Sequence, residues 1–262
     1  MAGRLAGKVA LVAGAGPNMG QAVATLFAQE GAKVVVAARG AGSTAGTVER
    51  IERFGGAARA VQADVSTEAG VQSAIQAAVA AFGQLDIVYH NAGGFFTPKY
   101  AVEALPADFW EGALANNLRS LYWLTRQAVP HLEAAGGGCI ITVSAADLVV
   151  QDANSAYAAA KAGLIGAARN LARELFPKNI RVHAMCPGIM WEPLAESADG
   201  RVSPAARQLD RLGNAADVAY AALWLASDEA AWVTGLAVNV DGGDAVFADS
   251  PMRRRAVESR LA

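Results

Sequence analysis

Short runs of β-branched and other apolar residues alternate along the chain with longer, alanine-rich stretches whose apolar positions recur at helical spacing. The short runs predict buried strands, and the longer stretches predict amphipathic helices. Strands are predicted at residues 8–13, 33–37, 58–62, 85–89, 139–143, 180–185 and 237–240. Helices are predicted between them, at residues 20–30, 44–54, 68–82, 107–132, 155–175 and 215–226.

Regular alternation of strands and helices is typical of a parallel sheet that is covered by helices on both faces. No Pro- or Ser-rich linker, composition shift or internal repeat divides the chain, so we expect one doubly wound, Rossmann-type α/β domain over residues 1–262. The least regular segment, 191–212, is either a lid over a binding site or a variable surface loop. Residues 244–262 are expected to form a C-terminal tail.

Composition and charge narrow the range of partners. The 262 residues, 53% of them hydrophobic, can bury a substantial core, and a formal charge of −2 gives no reason to expect nucleic acid or an anionic membrane as a partner. Glycine or charge interrupts the apolar runs short of the ~20 residues of a membrane span, and the N-terminal residues lack a signal-peptide pattern, so the cytoplasm is expected. Cys139 and Cys186 lie beside strand-like runs, which suits buried free thiols.

The turn between the first strand and the first helix is rich in glycine and reads Gly14-Ala15-Gly16-Pro17-Asn18-Met19-Gly20. A dinucleotide needs the backbone to approach closely there, and the N-terminus of a helix offers free N–H groups and a positive dipole to the pyrophosphate. Any tight turn between a strand and a helix can contain such glycines. Its position after the first strand of an α/β pattern favours dinucleotide binding.

Two other strand ends suit the same ligand. Asp64-Val65 ends the third strand, where the carboxylate can accept a hydrogen bond from an adenine amino group; the alternative is a role at the start of the next helix. Asn91-Ala92-Gly93 ends the fourth strand, and its small residues would let a ring lie against the backbone. Both motifs are therefore candidate cofactor contacts.

Tyr157 and Lys161 lie four residues apart in a predicted helix and therefore project from one face. Because a phenol has a pKa of about 10, Tyr157 needs a stabilised anion to act as a base near neutrality, and a nearby ammonium and an oxidised nicotinamide would both supply this. Ser144 ends the fifth strand, where ligands collect in open α/β sheets. Its hydroxyl can polarise the substrate oxygen that Tyr157 protonates.

These residues resemble the short-chain dehydrogenase/reductase family over nearly the whole chain to Gly243. The matching pieces are the glycine-rich turn, Asp64-Val65, Asn91-Ala92-Gly93, Asn117-Leu118, Ser144, Tyr157-Ala158-Ala159-Ala160-Lys161, Pro187-Gly188 and Val240-Asp241-Gly242-Gly243. The resemblance implies a nicotinamide-dependent oxidoreductase that acts on a small carbonyl or alcohol substrate. It also implies a seven-stranded sheet in the order 3-2-1-4-5-6-7.

The resemblance assigns roles to further residues. Asn117 would complete a tetrad with Ser144, Tyr157 and Lys161 by holding a water that links Lys161 to solvent. Lys161 would also bind the ribose of the nicotinamide. Pro187, Gly188 and Ile189 would lie beside the nicotinamide ring, and no metal is implied.

Cofactor choice is expected to depend on the end of the second strand. NAD-specific relatives usually carry an acidic residue where this chain has Ala38, and a carboxylate there would repel the 2′-phosphate of NADP. Arg39 follows, and its guanidinium can bind that phosphate. NADP is therefore expected to be preferred over NAD. Against this, Arg39 also follows an acidic residue in some NAD enzymes, and Pro17 stands where many NADP relatives have a second basic residue.

Some positions depart from the family pattern. Asn18 replaces a glycine, and Asn is the non-glycine residue that best tolerates positive φ. His90 stands where the family often has Asn, and it is either a packed histidine or a proton shuttle. Glu192 stands where many relatives have a Thr that contacts the carboxamide.

Three aromatic residues near the expected nicotinamide site are open to two interpretations each. Phe95 and Phe96 either line the substrate pocket or pack in the core. Trp191 is either a pocket wall or an anchor for its loop.

A homotetramer is expected from the resemblance and from the helix at residues 155–175, which is apolar over more than one face. Its small residues are Ala158, Ala159, Ala160, Ala162, Gly163, Ala167 and Ala168. The alternative is that neighbouring helices of the same chain cover this surface.

Two other functions stay open at this point. A 3-oxoacyl-thioester reductase would need basic surface near the mouth of the pocket for an acidic carrier protein. A nucleotide-sensing or interaction protein would keep the fold without turnover, but it has no need of all four tetrad residues.

Overall fold

A computed structural model describes residues 3–192, 194–207, 209, 211–247 and 254. Its strands are β1 (Val9–Ala13), β2 (Lys33–Ala38), β3 (Ala58–Gln62), β4 (Ile87–His90), β5 (Gly138–Val143), β6 (Ile180–Pro187), β7 (Met190–Glu192), β8 (Gly213–Asn214) and β9 (Ala237–Val240). Its helices are α1 (Met19–Gln29), α2 (Ala41–Arg53), α3 (Glu68–Phe82), α4 (Ala107–Leu114), α5 (Ser120–Ala134), α6 (Asp147–Gln151), α7 (Ser155–Leu175) and α8 (Ala215–Ala226). The alternation of strands and helices is the one that the sequence predicts.

Seven of these strands form one parallel sheet in the order β3-β2-β1-β4-β5-β6-β9. This confirms the expected fold class and strand order, with β9 as the seventh strand. The chain runs outward from β1 to β3 and then returns to place β4 on the other side of β1. That reversal opens a crevice at the carboxyl ends of β1 and β4, which is where open α/β sheets bind ligands.

Helices cover both faces of the sheet, and alternate side chains of β1 show how. Ala10 and Val12 belong to a core that includes buried residues of α1, α2 and α8. Leu11 and Ala13 belong to a second core, with buried residues of α3, α5 and α7. Because β1 is buried on both faces, it has the continuous apolar sequence VALVA instead of an alternating one.

The segment predicted to be irregular, 191–212, is held at both ends. Its first residues belong to β7, which pairs with β8 at Gly213–Asn214, so the segment leaves and returns at neighbouring strands. Val202 is tied to α1, since its N–H donates to Gln29 Oε1 at 2.7 Å and its carbonyl accepts from Gln29 Nε2 at 3.1 Å. Of the expected C-terminal tail, residues 248–253 and 255–262 lie outside the described residues.

Three features were not predicted from the sequence. The region 107–132 is not one uniform helix, because the π-helical turn Ala115–Arg119 joins α4 to α5. The short helix α6 and the pair β7–β8 are additional elements near the carboxyl edge of the sheet. Within the described part of the chain, no helix has both the length and the apolar character needed to cross a membrane.

Candidate active site

Two adjoining cavities lie at the carboxyl edge of the sheet. One, of about 450 Å³, is lined by Ser144, Tyr157 and Lys161. The other, of about 300 Å³, is lined by Ala38 and Arg39 among others. Asn91 and Gly93 line both, so the two cavities adjoin and together span the ends of β1, β2, β4, β5 and β6. The site is long and has a different chemistry at each end.

The glycine-rich turn lets β4 and α1 approach the end of β1. Gly14 has φ 90°, and a Cβ built on it would lie 2.6 Å from the backbone nitrogen of Ala92. A Cβ on Gly20 would lie 2.2 Å from the carbonyl oxygen of Gly14. Asn18, the N-cap residue of α1, has φ 86° and ψ −131°, a positive-φ conformation outside the left-handed helical region that Asn tolerates, so the turn holds this residue under strain.

We predict that Gly14→Ala is strongly destabilising and that Gly16→Ala is not. Gly16 lies in the same turn, but its φ is not positive and a Cβ on it would meet nothing within 4 Å, so it is a matched control. Strain at positive φ costs a few kcal/mol, so Gly14→Ala should lower the Tm by about 5–10 °C. Thermal unfolding of both variants checks this, and an equal Tm for the two would contradict the role assigned to Gly14.

Polar side chains at the strand ends have defined partners. Asn91 Nδ2 donates to the carbonyl of Gly14 at 2.8 Å, which ties the end of β4 to the glycine-rich turn. Asp64 Oδ1 accepts from the backbone and hydroxyl of Ser66, at 3.0 and 2.7 Å, just before α3. One oxygen of Asp64 therefore has the local role that was the alternative to binding adenine, although the residue also lines the smaller cavity.

Two reciprocal hydrogen bonds join α7 to the end of β5. Ser144 Oγ donates to the carbonyl of Lys161 at 2.7 Å, and Lys161 Nζ donates to the carbonyl of Val143 at 2.8 Å. Tyr157 lies one turn earlier on the same face of α7, with its ring centroid 5.5 Å from Lys161 Nζ. The structure therefore brings together the three residues that the sequence predicts for acid–base chemistry.

Burial changes the proton affinity of these groups. Lys161 is almost fully buried, and the loss of hydration lowers its pKa to about 8. Burial raises the pKa of Tyr157 to about 12. At neutral pH the chain by itself therefore presents a phenol next to an ammonium group whose pKa lies within reach of physiological pH.

Asn117 lies in the π-helical turn between α4 and α5. Its Nδ2 donates to the carbonyls of Ala113 and Gly94, at 2.9 and 3.0 Å. A Cβ on Gly93 would lie 3.2 Å from Asn117 Oδ1 and 3.3 Å from Lys161 Nζ, so both atoms face the same point. Single π turns within α-helices are common at functional sites, and this one directs Asn117 toward Lys161.

The sequence leaves His90 open to two roles, a packed histidine and a proton shuttle. His90 is fully buried, with Nδ1 2.8 Å from Thr142 Oγ1 and Nε2 2.8 Å from Ser120 Oγ. Burial lowers its pKa to about 3, so the ring is neutral at physiological pH. Both ring nitrogens have hydroxyl partners, which supports a packed histidine over a proton shuttle.

The aromatic residues near the site differ in their contacts. Phe96 lines the larger cavity and meets the Tyr157 ring edge to face, with centroids 5.4 Å apart. Phe95 instead packs against Phe109, at 5.0 Å. Trp191 lines the cavity and is 65% exposed, while Glu192 is exposed on β7.

Several residues of the site were not predicted from the sequence. Leu148 and Val149, from the unpredicted helix α6, line the larger cavity, and so does Asp152 just after it. Asn154 caps α7 and accepts from the N–H of Tyr157 at 3.0 Å. The Asn at a helix start was the only available signal, and it does not reveal what else the side chain contacts.

The residues present fit a nicotinamide dinucleotide. Gly14, Gly20 and Gly93 provide close backbone approach at the places where a Cβ would intrude. Within the described chain, the buried oxygens Asn91 Oδ1 and Asn117 Oδ1 have no hydrogen-bond partner, so they can accept from a bound molecule. Pro187 at the end of β6 and the next two residues, Gly188 and Ile189, line the larger cavity. The described residues contain no group of three His, Cys, Asp or Glu suited to a metal ion.

Comparisons with known proteins show which families and enzymes this chain is similar to. A family model described as enoyl-(acyl carrier protein) reductase matches residues 14–244. Curated relatives include the 3-oxoacyl-(acyl-carrier-protein) reductase of Thermotoga maritima, 32% identical over 92% of this chain and 98% of that protein. The 7α-hydroxysteroid dehydrogenase of Escherichia coli K12 is 34% identical over 92% of this chain and 95% of the relative.

Two solved structures are similar to this chain over most of its length. One is a protein from Burkholderia xenovorans assigned to the short-chain dehydrogenases/reductases, which superposes with a TM-score of 0.82 and is 34% identical. The match covers 95% of this chain and 100% of the other. A 7α-hydroxysteroid dehydrogenase in complex with NADH and 7-oxo glycochenodeoxycholic acid gives a TM-score of 0.79 at 33% identity, covering 92% of this chain and 95% of the other.

Proposed function

The chain belongs to the short-chain dehydrogenase/reductase family and is an NAD(P)-dependent oxidoreductase that acts on alcohols and carbonyls, and on that basis we propose that Tyr157 is its acid–base group. The observation that carries this proposal is the pair of reciprocal bonds between Ser144, Lys161 and the end of β5, which holds Tyr157 beside a buried ammonium. Ser144, Lys161 and Asn117 complete the proposed catalytic set.

We further propose that the cofactor is held by residues that line the two cavities or that form the glycine-rich turn between β1 and α1. When it is bound, the nicotinamide supplies or accepts the hydride. The proposed contacts are Gly14, Pro17, Asn18, Met19, Gly20, Arg39, Asp64, Val65, Asn91, Ala92, Gly93, Tyr157, Lys161, Pro187, Gly188 and Ile189. NADP is the proposed preferred form, because Ala38 provides no carboxylate to repel the 2′-phosphate and Arg39 offers a cation.

In carbonyl reduction, the phenolic O–H of Tyr157 donates its proton to the substrate oxygen. Ser144 Oγ donates to the Lys161 carbonyl in the structure, so it must exchange this bond for one to the substrate oxygen as the substrate enters. The Lys161 ammonium lies close enough to stabilise the phenolate that remains. Asn117 Oδ1 faces the same point as Lys161 Nζ, where it can hold a water that returns the proton.

This mechanism predicts an alkaline limit for carbonyl reduction. With its pKa at about 8, Lys161 loses its charge as the pH rises, whereas Tyr157, with a pKa of about 12, stays protonated. The kcat/KM should be level between about pH 6 and 7 and should fall roughly tenfold per unit well above pH 8. Lys161→Arg, whose guanidinium stays charged to beyond about pH 12, should move the fall to higher pH.

Steady-state rates across the pH range check this prediction. A wild-type profile that stays level through about pH 10, or an alkaline fall at the same pH in Lys161→Arg, would show that the charge of Lys161 does not control proton transfer.

The proposed substrate is an uncharged apolar ketone or secondary alcohol. Phe96, Leu148, Val149 and Trp191 line the cavity beside Tyr157. The test is a screen of NADPH and NADH oxidation with cyclic ketones, quinones, sugars and 3-oxoacyl thioesters. Highest kcat/KM with a cyclic ketone supports the proposal, and highest kcat/KM with the thioester would favour the reductase activity of the Thermotoga maritima relative. If no compound causes oxidation of NADPH or NADH, the proposed substrate class is refuted.

We propose a homotetramer on the basis of a second, apolar groove between α5 and α7. The groove has a volume of about 680 Å³ and includes Leu118, Tyr122, Val129 and Leu171 in its lining. Tyr122 is half exposed there, so the described part of the chain does not cover this face. Light scattering at micromolar concentration should give four times the mass of one chain. The mass of one chain would rule the assembly out.

The proposed compartment is the cytoplasm, where thiols such as those of Cys139 and Cys186 stay reduced.

A further inference from the structure

The loop that follows β4 forms one wall of the larger cavity, and we call residues 94–99 the Phe96 loop. Its two phenylalanines point to different places. Phe95, with φ 68°, packs against Phe109, and its ring tip would lie 2.7 Å from a Cβ on Gly112. Phe96 points into the cavity and meets Tyr157 edge to face. A positive φ is rare for a phenylalanine, so the surrounding structure must hold this loop in place.

The side chain of Asn154 provides much of that support. The two N–H groups of its Nδ2 are shared among the carbonyls of Phe95, Phe96 and Pro98, at N···O distances of 2.7, 3.1 and 3.2 Å. Its Oδ1 accepts from the N–H of Tyr157, at 3.0 Å, and so caps the start of α7. The residue is 2% exposed. One amide group therefore binds the Phe96 loop with its nitrogen and the catalytic helix with its oxygen.

A second contact between the same elements lies at the rim of the cavity. Lys99 Nζ, at the end of the Phe96 loop, makes a 2.7 Å salt bridge with Asp152, two residues before Asn154. Lys99 also lies 5.7 Å from the centroid of the Phe96 ring. This half-exposed ion pair is a second, weaker link between the Phe96 loop and the segment that precedes α7.

We propose that Asn154 is a specificity-determining positioning residue that fixes the distance between the Phe96 wall and Tyr157 and thereby selects substrates with an uncharged apolar ring at the carbonyl. The proposal rests on the proposed role of Tyr157. The ring of such a substrate lies between Phe96 and the apolar residues of α6, while its carbonyl oxygen reaches Tyr157. A small acyclic ketone does not contact Phe96 to the same extent, so it gains little from the position of the wall.

The test uses two substitutions that keep an oxygen to cap α7 and remove the amide nitrogen of Asn154. Asn154→Ser retains an oxygen that can accept from the N–H of Tyr157 but has no amide nitrogen for the loop carbonyls. Asn154→Asp also keeps the cap, and it places a carboxylate against those carbonyls. The matched control is Thr67→Ala, which removes the N-cap of α3, where Thr67 Oγ1 accepts from Gly70 N at 3.1 Å. Thr67 Oγ1 also donates to the carbonyl of Asp64 at 2.8 Å, at the far end of the site from Phe96, so any effect on the cofactor should change the rates with both ketones equally.

The main readout is the ratio of kcat/KM for cyclohexanone to kcat/KM for 2-butanone. A change in the fit of an apolar pocket alters such ratios by roughly 10–200-fold. We expect both Asn154 variants to lower the ratio by about tenfold or more, with a larger effect for Asp, and Thr67→Ala to leave it unchanged. Phe96→Leu should lower the ratio as well, and combining it with Asn154→Ser should add little further loss.

Hydrogen exchange provides a readout that does not depend on turnover. In Asn154→Ser, the amides of residues 94–97 and of Lys99 should exchange faster, while those of α7 keep the wild-type rate. An unchanged substrate ratio, or equal losses for both ketones together with faster exchange in α7, would overturn the proposal by reducing Asn154 to a helix cap. If the wild type reduces no ketone, the proposed function fails and the specificity role fails with it; loop exchange identical to wild type would instead refute the positioning role alone.

Discussion

Replacing Tyr157 with phenylalanine is expected to lower kcat by about 10²–10⁴-fold, because it removes the proposed proton donor and leaves the rest of the site in place. The phenolic oxygen makes no hydrogen bond that supports the fold in the described structure, and the ring keeps its contact with Phe96. The Tm should therefore stay close to that of the wild type, and the affinity for the cofactor should fall only by the one contact that the phenolic oxygen is proposed to make with it. Steady-state kinetics, thermal unfolding and fluorescence titration with NADPH measure these three quantities.

Tyr220→Phe provides the matched control for this substitution. Tyr220 lies on α8, and burial raises the pKa of its hydroxyl as it does for Tyr157, but it does not line the active-site cavities. It should therefore retain full activity. Near-normal kcat in a correctly folded Tyr157→Phe protein would show that another group transfers the proton.

The second large effect is expected in cofactor selectivity. The double substitution Ala38→Asp/Arg39→Leu should move the ratio of kcat/KM for NADPH to that for NADH toward NADH by about 10²–10³-fold. A charge-assisted hydrogen bond contributes about 1.5–3 kcal/mol, and a carboxylate at position 38 adds repulsion of the 2′-phosphate. Ala38 and Arg39 both line the smaller cavity, and Gln62 Nε2 holds the backbone of Arg39 through its carbonyl at 3.0 Å.

The two single variants separate the contributions of repulsion and attraction, and Arg59→Leu is the control. Arg59 is an exposed guanidinium on the neighbouring strand β3, but its register partner is Val35, farther from the carboxyl edge. The control should leave the ratio unchanged. A wild type that already favours NADH, or a double variant with an unaltered ratio, would refute the assignment of these two residues.

Local sequence signals were sufficient for the alternation of strands and helices and for the candidate acid–base residues, whereas the order of the strands came from the family resemblance. Runs such as VALVA can be buried on both faces only in a sheet with helices on both sides, and the rules of parallel connections leave few strand orders. Tyr157 and Lys161 were recognised because four residues of one α-helix bring two side chains to the same face, whatever the rest of the chain does. Ser144 was recognised because a strand end has a fixed place in such a sheet.

The features that the sequence did not predict depend on contacts between distant segments. The π-helical turn that orients Asn117 has no pattern of its own, because it differs from an α-helix by a single hydrogen-bond register. Asn154 looks like any N-cap residue, and its three bonds to the Phe96 loop cross more than 50 residues of chain. Gly14 and Gly16 are equivalent in the sequence, but only Gly14 combines a positive φ with a backbone contact to Ala92, which makes it irreplaceable.

The central claim is that this chain transfers a hydride to a carbonyl carbon with a proton from Tyr157. Its most direct test is a single-turnover reaction of cyclohexanone with excess enzyme and NADPH that carries deuterium at both C4 positions, followed by mass spectrometry of the alcohol. We predict one deuterium on the carbinol carbon, formed at least about 100-fold faster by the wild type than by Tyr157→Phe. An alcohol without deuterium, or equal rates for the two proteins, would contradict the claim.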